Sequence, residues 1–365
     1  MSKRVIIPAI LFVLLFVELR GQGLFVNPHS NFIAKTGRID TTSPDAYRLY
    51  WPGTSLKINF EGTEIKALLK DQYAENYYTI IVDKDSILTI NLDTVKHFYT
   101  LVEGLPQGEH SIELFKRTGW MMGWSDFYGF KLNDEAKLLP PPPDQKRRIE
   151  FFGNSITVGI SNMPGADDGT GEEDPYHGHT NNYYSYAAIT ARHFDAAYHN
   201  TSRSGIGITI SWSQWIMQDI YNRLDPKNPE SKWDFSLFTP QVVVINLFQN
   251  DSWLVNNPDY PEFKKRFGKK APSKKEIIAA YKKFLVSLRK EYPDAAIICT
   301  LGSMDATEKG SPWPGYISKA VKQTNDDKIF TLFFPCKETR GHPSIEEHRK
   351  MAAQLIAFIE ENIKW

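Results

Sequence analysis

The sequence predicts two domains, an antiparallel β-sandwich followed by an α/β domain built on a parallel sheet. Short stretches of alternating apolar and polar residues fill the first part of the chain, as is typical of antiparallel strands. In the second part, β-branched runs alternate with helical stripes, which indicates crossover connections between parallel strands. Four prolines, Pro140 to Pro143, separate the two parts, and 365 residues are enough for two domains.

The composition excludes some classes of protein. The chain has 43 basic and 43 acidic residues, so its formal net charge is zero. A protein that binds nucleic acid through a broad basic face needs clustered Lys and Arg, so we expect no nucleic-acid partner. A hydrophobic content of 41% and a charged content of 24% are those of a folded chain rather than a disordered one.

The first residues have the pattern of a secretory signal peptide. Lys3 and Arg4 precede an apolar run from Val5 to Val17, which is shorter than the ~20 residues that a membrane-spanning helix needs. We therefore predict a signal peptide over residues 1–23, a secreted or periplasmic location, and no membrane contact in the mature form. An N-terminal anchor that is not cleaved is the alternative.

Residues 24–139 are assigned to the sandwich because turn residues separate the alternating stretches. The strands predicted from the alternation are 57–60, 63–69, 77–82, 87–92, 97–102 and 110–115. No helix is expected between residues 30 and 135. The proline run gives a stiff, extended linker, placed at residues 140–147.

Residues 148–365 are assigned to the α/β domain. Its predicted strands are 149–152, 242–247, 295–301 and 329–334. Apolar residues at helical spacing predict helices over 274–292 and 345–363. Pro272 and Ser273 mark the start of the first helix and Pro293 its end.

Four segments near the ends of predicted strands or before helices carry residues suited to nucleophilic catalysis. Ser155, in a Gly-Asn-Ser turn, is a candidate nucleophile whose backbone N–H is also available. His342 lies before the last helix and is a candidate base. Asn250 carries a side-chain N–H, and Gly205 lets the backbone approach a substrate. Taken singly, each has a structural alternative, as a turn residue or a helix cap.

Together, the four segments resemble the blocks of the SGNH, or GDSL-like, hydrolase superfamily. With a sandwich in front, the chain is similar to carbohydrate esterase family 2, an acetyl xylan esterase-like group that removes acetyl groups from plant-type polysaccharides. The resemblance implies a three-layer α/β/α SGNH domain with a parallel sheet, preceded by an all-β jelly-roll sandwich. It also implies a catalytic Ser155–His342 dyad without metal or cofactor. The implied oxyanion hole comprises the N–H groups of Ser155 and Gly205 and the Asn250 side chain.

The sequence departs from the superfamily pattern at two positions. The superfamily usually has Asp three residues before the histidine, where this chain has Thr339. We therefore expect a backbone carbonyl or another side chain to orient His342, with Glu338 as a further alternative. Phe248 stands where a glycine commonly precedes the asparagine block, and we expect it to reshape the pocket wall.

Tryptophans near these segments are candidates to stack on a sugar. Trp253 follows the asparagine block, and Trp120 and Trp124 lie near the end of the sandwich sequence. We predict substrate binding for these three. Trp212 and Trp215 are expected to pack within a helix.

Two further features leave alternatives open. The segment 165–179, rich in Gly, acid and His, is expected to be a solvated insertion near the mouth of the site. A calcium loop is its alternative, although its acids do not follow EF-hand spacing. Cys299 and Cys336 are predicted either to form a disulfide or to be buried thiols.

The leading functional hypothesis is a secreted serine esterase that removes O-acetyl groups from xylan- or mannan-type polysaccharides or oligosaccharides through an acyl-enzyme. Its partner would be the acetylated carbohydrate. Two alternatives are a lipase or thioesterase on the same fold and a non-catalytic carbohydrate-binding protein with a decayed hydrolase domain.

Overall fold

The computed structural model describes residues 23–165 and 176–365. The predicted signal peptide therefore lies, apart from its last residue, outside the described residues. Most of the acid-rich segment 165–179 lies outside them as well.

The first part of the described chain forms one antiparallel sheet. Its strands, numbered β1 to β10, are Leu24–Val26, Ile33–Thr36, Ile39–Asp40, Tyr47–Leu49, Ser55–Asp71, Tyr77–Val82, Ser86–Asn91, His97–Lys116, Ser125–Leu132 and Lys137–Leu138. The main strand order is β3-β4-β9-β5-β8-β6-β7, with β1 on β9 and with β2 and β10 on β5. The antiparallel all-β prediction is confirmed, and the jelly-roll connectivity stays a prediction.

The two longest strands each join stretches that we predicted to be separate. Strand β5 covers 57–60 and 63–69, and β8 covers 97–102 and 110–115. The register between β5 and β8 shifts between Gly62 and Glu64. Consequently Ile58 and Phe60, before the shift, and Ile65, after it, are all fully buried although they differ in parity. A bulge changes the phase of the alternation without turning the chain.

The second part of the chain is built on a five-stranded parallel sheet. Its strands, β11 to β15 within the described residues, are Arg147–Gly153, Ala196–Ser202, Val242–Asn246, Ala296–Leu301 and Ile329–Phe333. Val243 and Ile245 face one hydrophobic core, and Val242 and Val244 face another. The apolar run of β13 is thus buried on both faces, as predicted.

Helices cover both faces of this sheet, which confirms the three-layer α/β/α domain. In the described residues the α-helices, α1 to α9, are Ser155–Val158, Tyr176–His179, Tyr186–His193, Met217–Ile220, Gln249–Leu254, Pro261–Phe267, Lys274–Glu291, Trp313–Lys322 and Ile345–Asn362. Helices α7 and α8 pack on one face, and α3 and α9 on the other. The two predicted long helices are α7 and α9, and each begins with a Ser–Glu capping box. None of the described helices is long and apolar enough to cross a bilayer.

The two sheets are joined by a buried interface. Arg38, from the antiparallel part, pairs with Glu150 of β11 at 2.8 Å, and both side chains are almost fully buried. Trp51 donates its indole N–H to the Leu224 carbonyl at 2.8 Å. In the segment that connects the two sheets, the start of the proline run lies beside β5. Asn59 of β5 donates a hydrogen bond to the Pro140 carbonyl there.

Candidate active site

The predicted catalytic segments lie at the carboxyl edge of the parallel sheet. The sheet order is β12-β11-β13-β14-β15, so the chain moves from β11 to one neighbour and then crosses to the other side. In open parallel sheets, ligands bind outside the carboxyl ends of the strands at such a switch point. The register pairs Gly153 with Ser202 on one side and with Asn246 on the other. The segments bearing Ser155, Gly205 and Asn250 therefore start from three adjacent strand ends.

Ser155 is the first residue of the short helical turn α1. Asn154 caps this turn by accepting the Ile156 N–H at 3.0 Å. As the first helical residue, Ser155 has no carbonyl one turn earlier to receive its own N–H. Gly153 is required here, because a Cβ would lie 2.0 Å from the Thr157 hydroxyl. The turn thus holds the Ser155 hydroxyl and its N–H at the end of β11, with the residue 7% exposed.

Gly205 and Asn250 are connected through the backbone between them. Gly205 has a φ of 75°, in the left-handed region that glycine adopts without steric cost. The next residue, Ile206, accepts a hydrogen bond from Asn250 Nδ2 at 2.8 Å. An amide nitrogen carries two hydrogens, so one N–H of Asn250 holds this turn and the other remains for a ligand.

Asp251 holds the loop that follows Gly205. Its buried carboxylate accepts the N–H groups of Ile208, Thr209 and Ile210, together with the Thr209 hydroxyl. Burial raises the pKa of this carboxyl, and these hydrogen bonds act in the opposite direction. Sequence reasoning gave Asp251 no role. One sequence feature could have pointed to Asp251, since it directly follows the candidate Asn250. Both residues lie in the first turn of α5.

Phe248 does not form the pocket wall, and that expectation is wrong. Its ring is fully buried and packs on Tyr281 and Trp313, with centroids 4.7 and 5.0 Å away. Its φ of 96° lies in the left-handed region, which explains why glycine is common here. The hydrophobic core contacts of the ring compensate for an unfavourable backbone conformation.

The loop that carries His342 connects β15 to α9 and is held by three side chains. The Lys337 ammonium donates to the carbonyls of Thr339 and Arg340, each at 2.8 Å. The Thr339 hydroxyl donates to Glu347 at 2.6 Å. Burial opposes ionisation of Glu347, but the hydrogen bonds from Thr339 and Ser344 hold its pKa below the ordinary value. We call Lys337, Thr339 and Glu347 the loop clasp.

The clasp occupies the sequence position at which the superfamily has its acid. Thr339 binds Glu347 of the following helix, and Glu338 is exposed. His342 itself is partly exposed. The N–H of Ile345, just after this loop, donates to the Asn162 carbonyl at 3.1 Å. This bond ties the start of α9 to the segment that follows the Ser155 turn.

His348, in α9, packs in the core. It is fully buried and stacked on Tyr186, whose N–H donates to its Nδ1 at 3.1 Å. Burial, reinforced by the charge of nearby His342, lowers the pKa of His348 to about 3. The imidazole is therefore neutral at physiological pH.

The three predicted sugar-binding tryptophans lie in different environments. Trp253 is partly exposed, and its indole N–H donates to Asp305 at 2.6 Å. Trp124 is covered on one face by Arg48, whose guanidinium carbon is 3.6 Å from the ring centroid. Trp120 is 3% exposed and belongs to the hydrophobic core of the hydrolase domain. Trp124 and Trp253 are thus partly exposed, whereas Trp120 is buried.

Trp212 and Trp215 do not lie in a helix, so that part of the prediction is wrong, although Trp215 does pack against the hydrophobic core. Residues 211–216 form bends and extended backbone, and Trp212 is 46% exposed. The Trp212 N–H donates to the Gly205 carbonyl at 2.9 Å, and its ring contacts Tyr260 edge to face, 5.2 Å between centroids. The apolar residues Ile206, Ile208 and Ile210, which follow Gly205, are buried. They belong to a loop that Asp251 anchors and not to a helix.

The cysteines and the possible metal ligands can also be assigned. Both cysteines are free thiols, and burial raises the pKa of Cys299 to about 12. Among residues 23–165 and 176–365, no cluster of His, Cys, Asp or Glu has the arrangement of a metal site. The calcium-loop alternative concerns a segment that lies mostly outside that range.

Comparisons with known proteins agree with this geometry. The sequence model described as "Carbohydrate esterase 2 N-terminal" matches residues 35–142. A solved structure of a family two carbohydrate esterase from Clostridium thermocellum, in complex with cellohexaose, is 33% identical. It has a TM-score of 0.79, and the match covers 91% of this chain and 99% of that one. The chain belongs to carbohydrate esterase family 2.

Curated relatives of this family 2 chain are named as esterases. The "Cellulase/esterase CelE" of Acetivibrio thermocellus is 33% identical over 345 residues, which cover 91% of this chain but 40% of CelE. An "Acetylxylan esterase / glucomannan deacetylase" of Cellvibrio japonicus is 28% identical, with 87% of this chain and 86% of that protein covered. The chain thus matches less than half of the longer CelE and most of the C. japonicus enzyme.

Proposed function

We propose that this family 2 protein is a serine esterase that removes O-acetyl groups from polysaccharides or oligosaccharides of the xylan or mannan type. The observation that carries the proposal is the convergence of Ser155, Gly205 and Asn250 at adjacent strand ends, with His342 in a clasped loop on the same sheet edge. The names of the relatives, which act as acetylxylan esterases and glucomannan deacetylases, support the substrate class.

In the proposed reaction, Ser155 Oγ attacks the acetyl carbonyl while His342 accepts its proton. His342 then gives the proton to the sugar oxygen, and the carbohydrate leaves with an intact hydroxyl. Water attacks the acetyl-enzyme by the same route in reverse, releasing acetate and restoring the serine. The dyad needs no ionised acid partner if the loop clasp keeps His342 in position.

The oxyanion of each tetrahedral intermediate would be bound by the N–H groups of Ser155 and Gly205 and by Asn250 Nδ2. Each of these donors is fixed by the fold rather than recruited during the reaction. A fixed donor of this kind contributes roughly 3–4 kcal/mol to the transition state. Asp251 acts indirectly, because it holds the loop on which the Gly205 turn depends.

The sugar chain would lie across exposed aromatic rings beside this site. Trp253 follows Asn250 on α5, and Trp212 contacts Gly205 and is 46% exposed. Aromatic rings of this kind present an apolar face to the C–H face of a pyranose. Trp120 and Trp124 are covered by neighbouring groups, so they would contribute at the rim or by supporting other side chains.

The test is hydrolysis of p-nitrophenyl acetate and release of acetate from acetylated xylan and glucomannan. Ser155→Ala and His342→Ala should each lower kcat by at least about a thousandfold. Ser318→Ala, which removes an exposed hydroxyl on α8, is the matched control and should behave as the wild type. Equal background rates in the wild type and in Ser155→Ala would contradict the esterase function and favour a non-catalytic carbohydrate-binding protein. Faster cleavage of long-chain acyl esters would instead favour a lipase or thioesterase.

We also propose export through the signal peptide over residues 1–23. The charged start and short apolar run support it. N-terminal sequencing of the protein recovered from the culture medium or periplasm should begin near residue 24. An intact Met1 on the exported or membrane-bound protein would contradict cleavage.

A further inference from the structure

A buried cation without an acidic partner lies next to the proposed site. Arg203 directly follows β12, and its N–H donates to the Gly153 carbonyl at 3.1 Å. Gly205 is two residues further along the chain, at most about 7 Å away between Cα atoms. Arg203 therefore emerges at the strand ends that carry the Ser155 turn and the Gly205 turn.

The guanidinium of Arg203 is poorly satisfied by the protein. With partners in the described part of the chain it makes one side-chain hydrogen bond, from Nη1 to the Ser204 carbonyl at 2.8 Å, and its buried Nε has no acceptor there. The indoles of Trp120 and Trp215 lie 5.1 and 5.8 Å from it. Across the described residues, no carboxylate comes within ion-pair distance of Arg203.

Three other arginines of the described chain have more partners than Arg203. Arg38 pairs with Glu150, and Arg289 pairs with Asp326 at 2.7 Å. Arg117 lacks an acid but donates to the carbonyls of Thr180 and Gly178. Arg223 resembles Arg203, with one side-chain hydrogen bond, to the Pro226 carbonyl, and a buried Nε that has no acceptor among the described residues. Arg203 differs from it in position, because it directly follows β12 and precedes Gly205 by two residues.

The aromatic contacts do not replace an anion. A cation–π contact stabilises a charge by less than the burial of that charge costs. Burial lowers the pKa of Arg203 to about 10, so the side chain still carries its charge at neutral pH. A partly buried, charged guanidinium with unused donors is a binding group for a carboxylate, whose two oxygens match the planar fork.

We propose that Arg203 binds a carboxylate on the substrate chain, as a uronic acid substituent near the acetylated sugar would present. The inference rests on the proposed esterase function and adds to it a preference for acidic over neutral acetylated polysaccharide. Acetate, the product, is the other source of a carboxylate at this site, and the experiment separates the two.

The experiment compares kcat/KM on acetylated xylo-oligosaccharides that carry glucuronic acid with the same preparation after enzymatic removal of that acid. The wild type should prefer the acidic substrate by about tenfold, since one charge-assisted contact is worth about that factor. The preference should fall as salt is added. Arg203→Gln should bring the ratio of the two constants close to one, and Arg203→Lys should give an intermediate ratio.

Arg266→Gln is the matched control. Arg266 also lies near Trp215, since it donates to the Gln214 carbonyl, and Asp219 lies 3.9 Å from it. Its removal changes the net charge equally and should leave the ratio unchanged. If the Arg203→Gln variant fails to fold, three measurements still test the inference. They are the wild-type ratio, its salt dependence and the ratio for Arg203→Lys.

A wild-type ratio of one or less, or a ratio retained in folded Arg203 variants, would overturn the inference. Inhibition by free acetate that depends on Arg203, without a preference for the acidic chain, would overturn it in favour of product binding. These outcomes all require turnover of acetylated substrate. Absence of turnover on both substrates would contradict the proposed esterase function and not the role of Arg203. The comparison of the wild type with Ser155→Ala tests that function separately.

Discussion

At the scale of single residues, Asn250 serves both the fold and the proposed chemistry. One hydrogen of its amide is donated to the Ile206 carbonyl, and we propose that the other binds the oxyanion. The same helix start supplies Asp251, which holds the loop after Gly205. Loss of Asn250 should therefore affect the transition state more than the binding of the ground state.

We predict that Asn250→Ala lowers kcat by about a hundredfold or more and changes KM little, because an oxyanion donor acts after the attack has begun. The measurement is steady-state hydrolysis of p-nitrophenyl acetate. Asn256→Ala, at an exposed position just beyond α5, is the control. A rise in KM with unchanged kcat would assign Asn250 to ground-state binding instead.

His348 should make the protein sensitive to acid. Its folded pKa is about 3, below the ~6.5 of an unfolded histidine. The unfolded chain therefore takes up a proton that the folded one refuses. The resulting stability is fully present above pH ~6.5 and is lost as the pH falls toward 3, by up to about 1.4 kcal/mol per pH unit.

The measurement is the free energy of unfolding by urea at several pH values. The wild type should lose more stability between pH 6.5 and 4.5 than His348→Gln does, since the variant lacks the titrating group. Carboxylates contribute equally in both proteins, so the difference between the two slopes isolates His348. Parallel slopes would show that His348 accepts its proton in the folded state.

At the scale of elements, the loop between β15 and α9 carries His342, and we propose that the loop clasp holds it in place. We predict that Glu347→Gln lowers kcat by about three- to tenfold with KM unchanged, because the clasp loses its charged acceptor for Thr339. Glu346→Gln removes an equal charge from the same first turn of α9, at an exposed position, and controls for the helix dipole.

The pH profile separates positioning from a simple loss of stability. In Glu347→Gln the acidic limb of kcat/KM should move, because the environment of His342 changes, while the melting temperature changes little. Identical profiles for Glu347→Gln and Glu346→Gln would contradict the role of the clasp. Glu338→Gln should retain turnover, since Glu338 is exposed.

The elements also show where sequence patterns are sufficient. Four of the five described parallel strands and the two long helices were predictable, because apolar runs and a 3.6-residue stripe leave direct signals. Strand β12 was not among the predicted strands, because its sequence lacks a continuous apolar run. The merging of two stretches into β5 was not, since a bulge near Gly62 changes the phase of alternation in the same way that a turn does. Trp212 was misassigned for a related reason, because its loop is ordered by Asp251, which is distant in sequence.

At the scale of the whole molecule, the two sheets form one structural unit. Tyr50, Trp51 and Trp120 of the antiparallel part lie within the hydrophobic core of the hydrolase domain. The Arg38–Glu150 pair is buried in the same interface, and Tyr292 also bonds to Glu150. We therefore expect the two parts to unfold together.

Arg38→Met should lower the free energy of unfolding by about 3–5 kcal/mol, because it leaves Glu150 buried and unpaired. Thermal unfolding should keep a single transition. Arg48→Met breaks a pair with Asp126 in which the arginine is 37% and the carboxylate 9% exposed, so it should destabilise the protein less than Arg38→Met does. Two separate transitions in the wild type would contradict a shared core.

The candidate site residues that lie just after strand ends were predictable from the sequence. Ser155, Gly205, Asn250 and His342 follow the carboxyl ends of their strands, so their order along the chain indicates one sheet edge. Arg203 carried no such signal, because its significance depends on which charges surround it in space.

The proposed function makes Ser155 the nucleophile of a serine esterase that forms an acetyl-enzyme. The most direct test is rapid acid quenching of the enzyme during turnover of p-nitrophenyl acetate, followed by mass spectrometry of its peptides. We predict one acetyl group on the peptide that contains Ser155, and none in Ser155→Ala. Turnover by the wild type with no acetylated Ser155, or undiminished turnover by Ser155→Ala, would contradict the account.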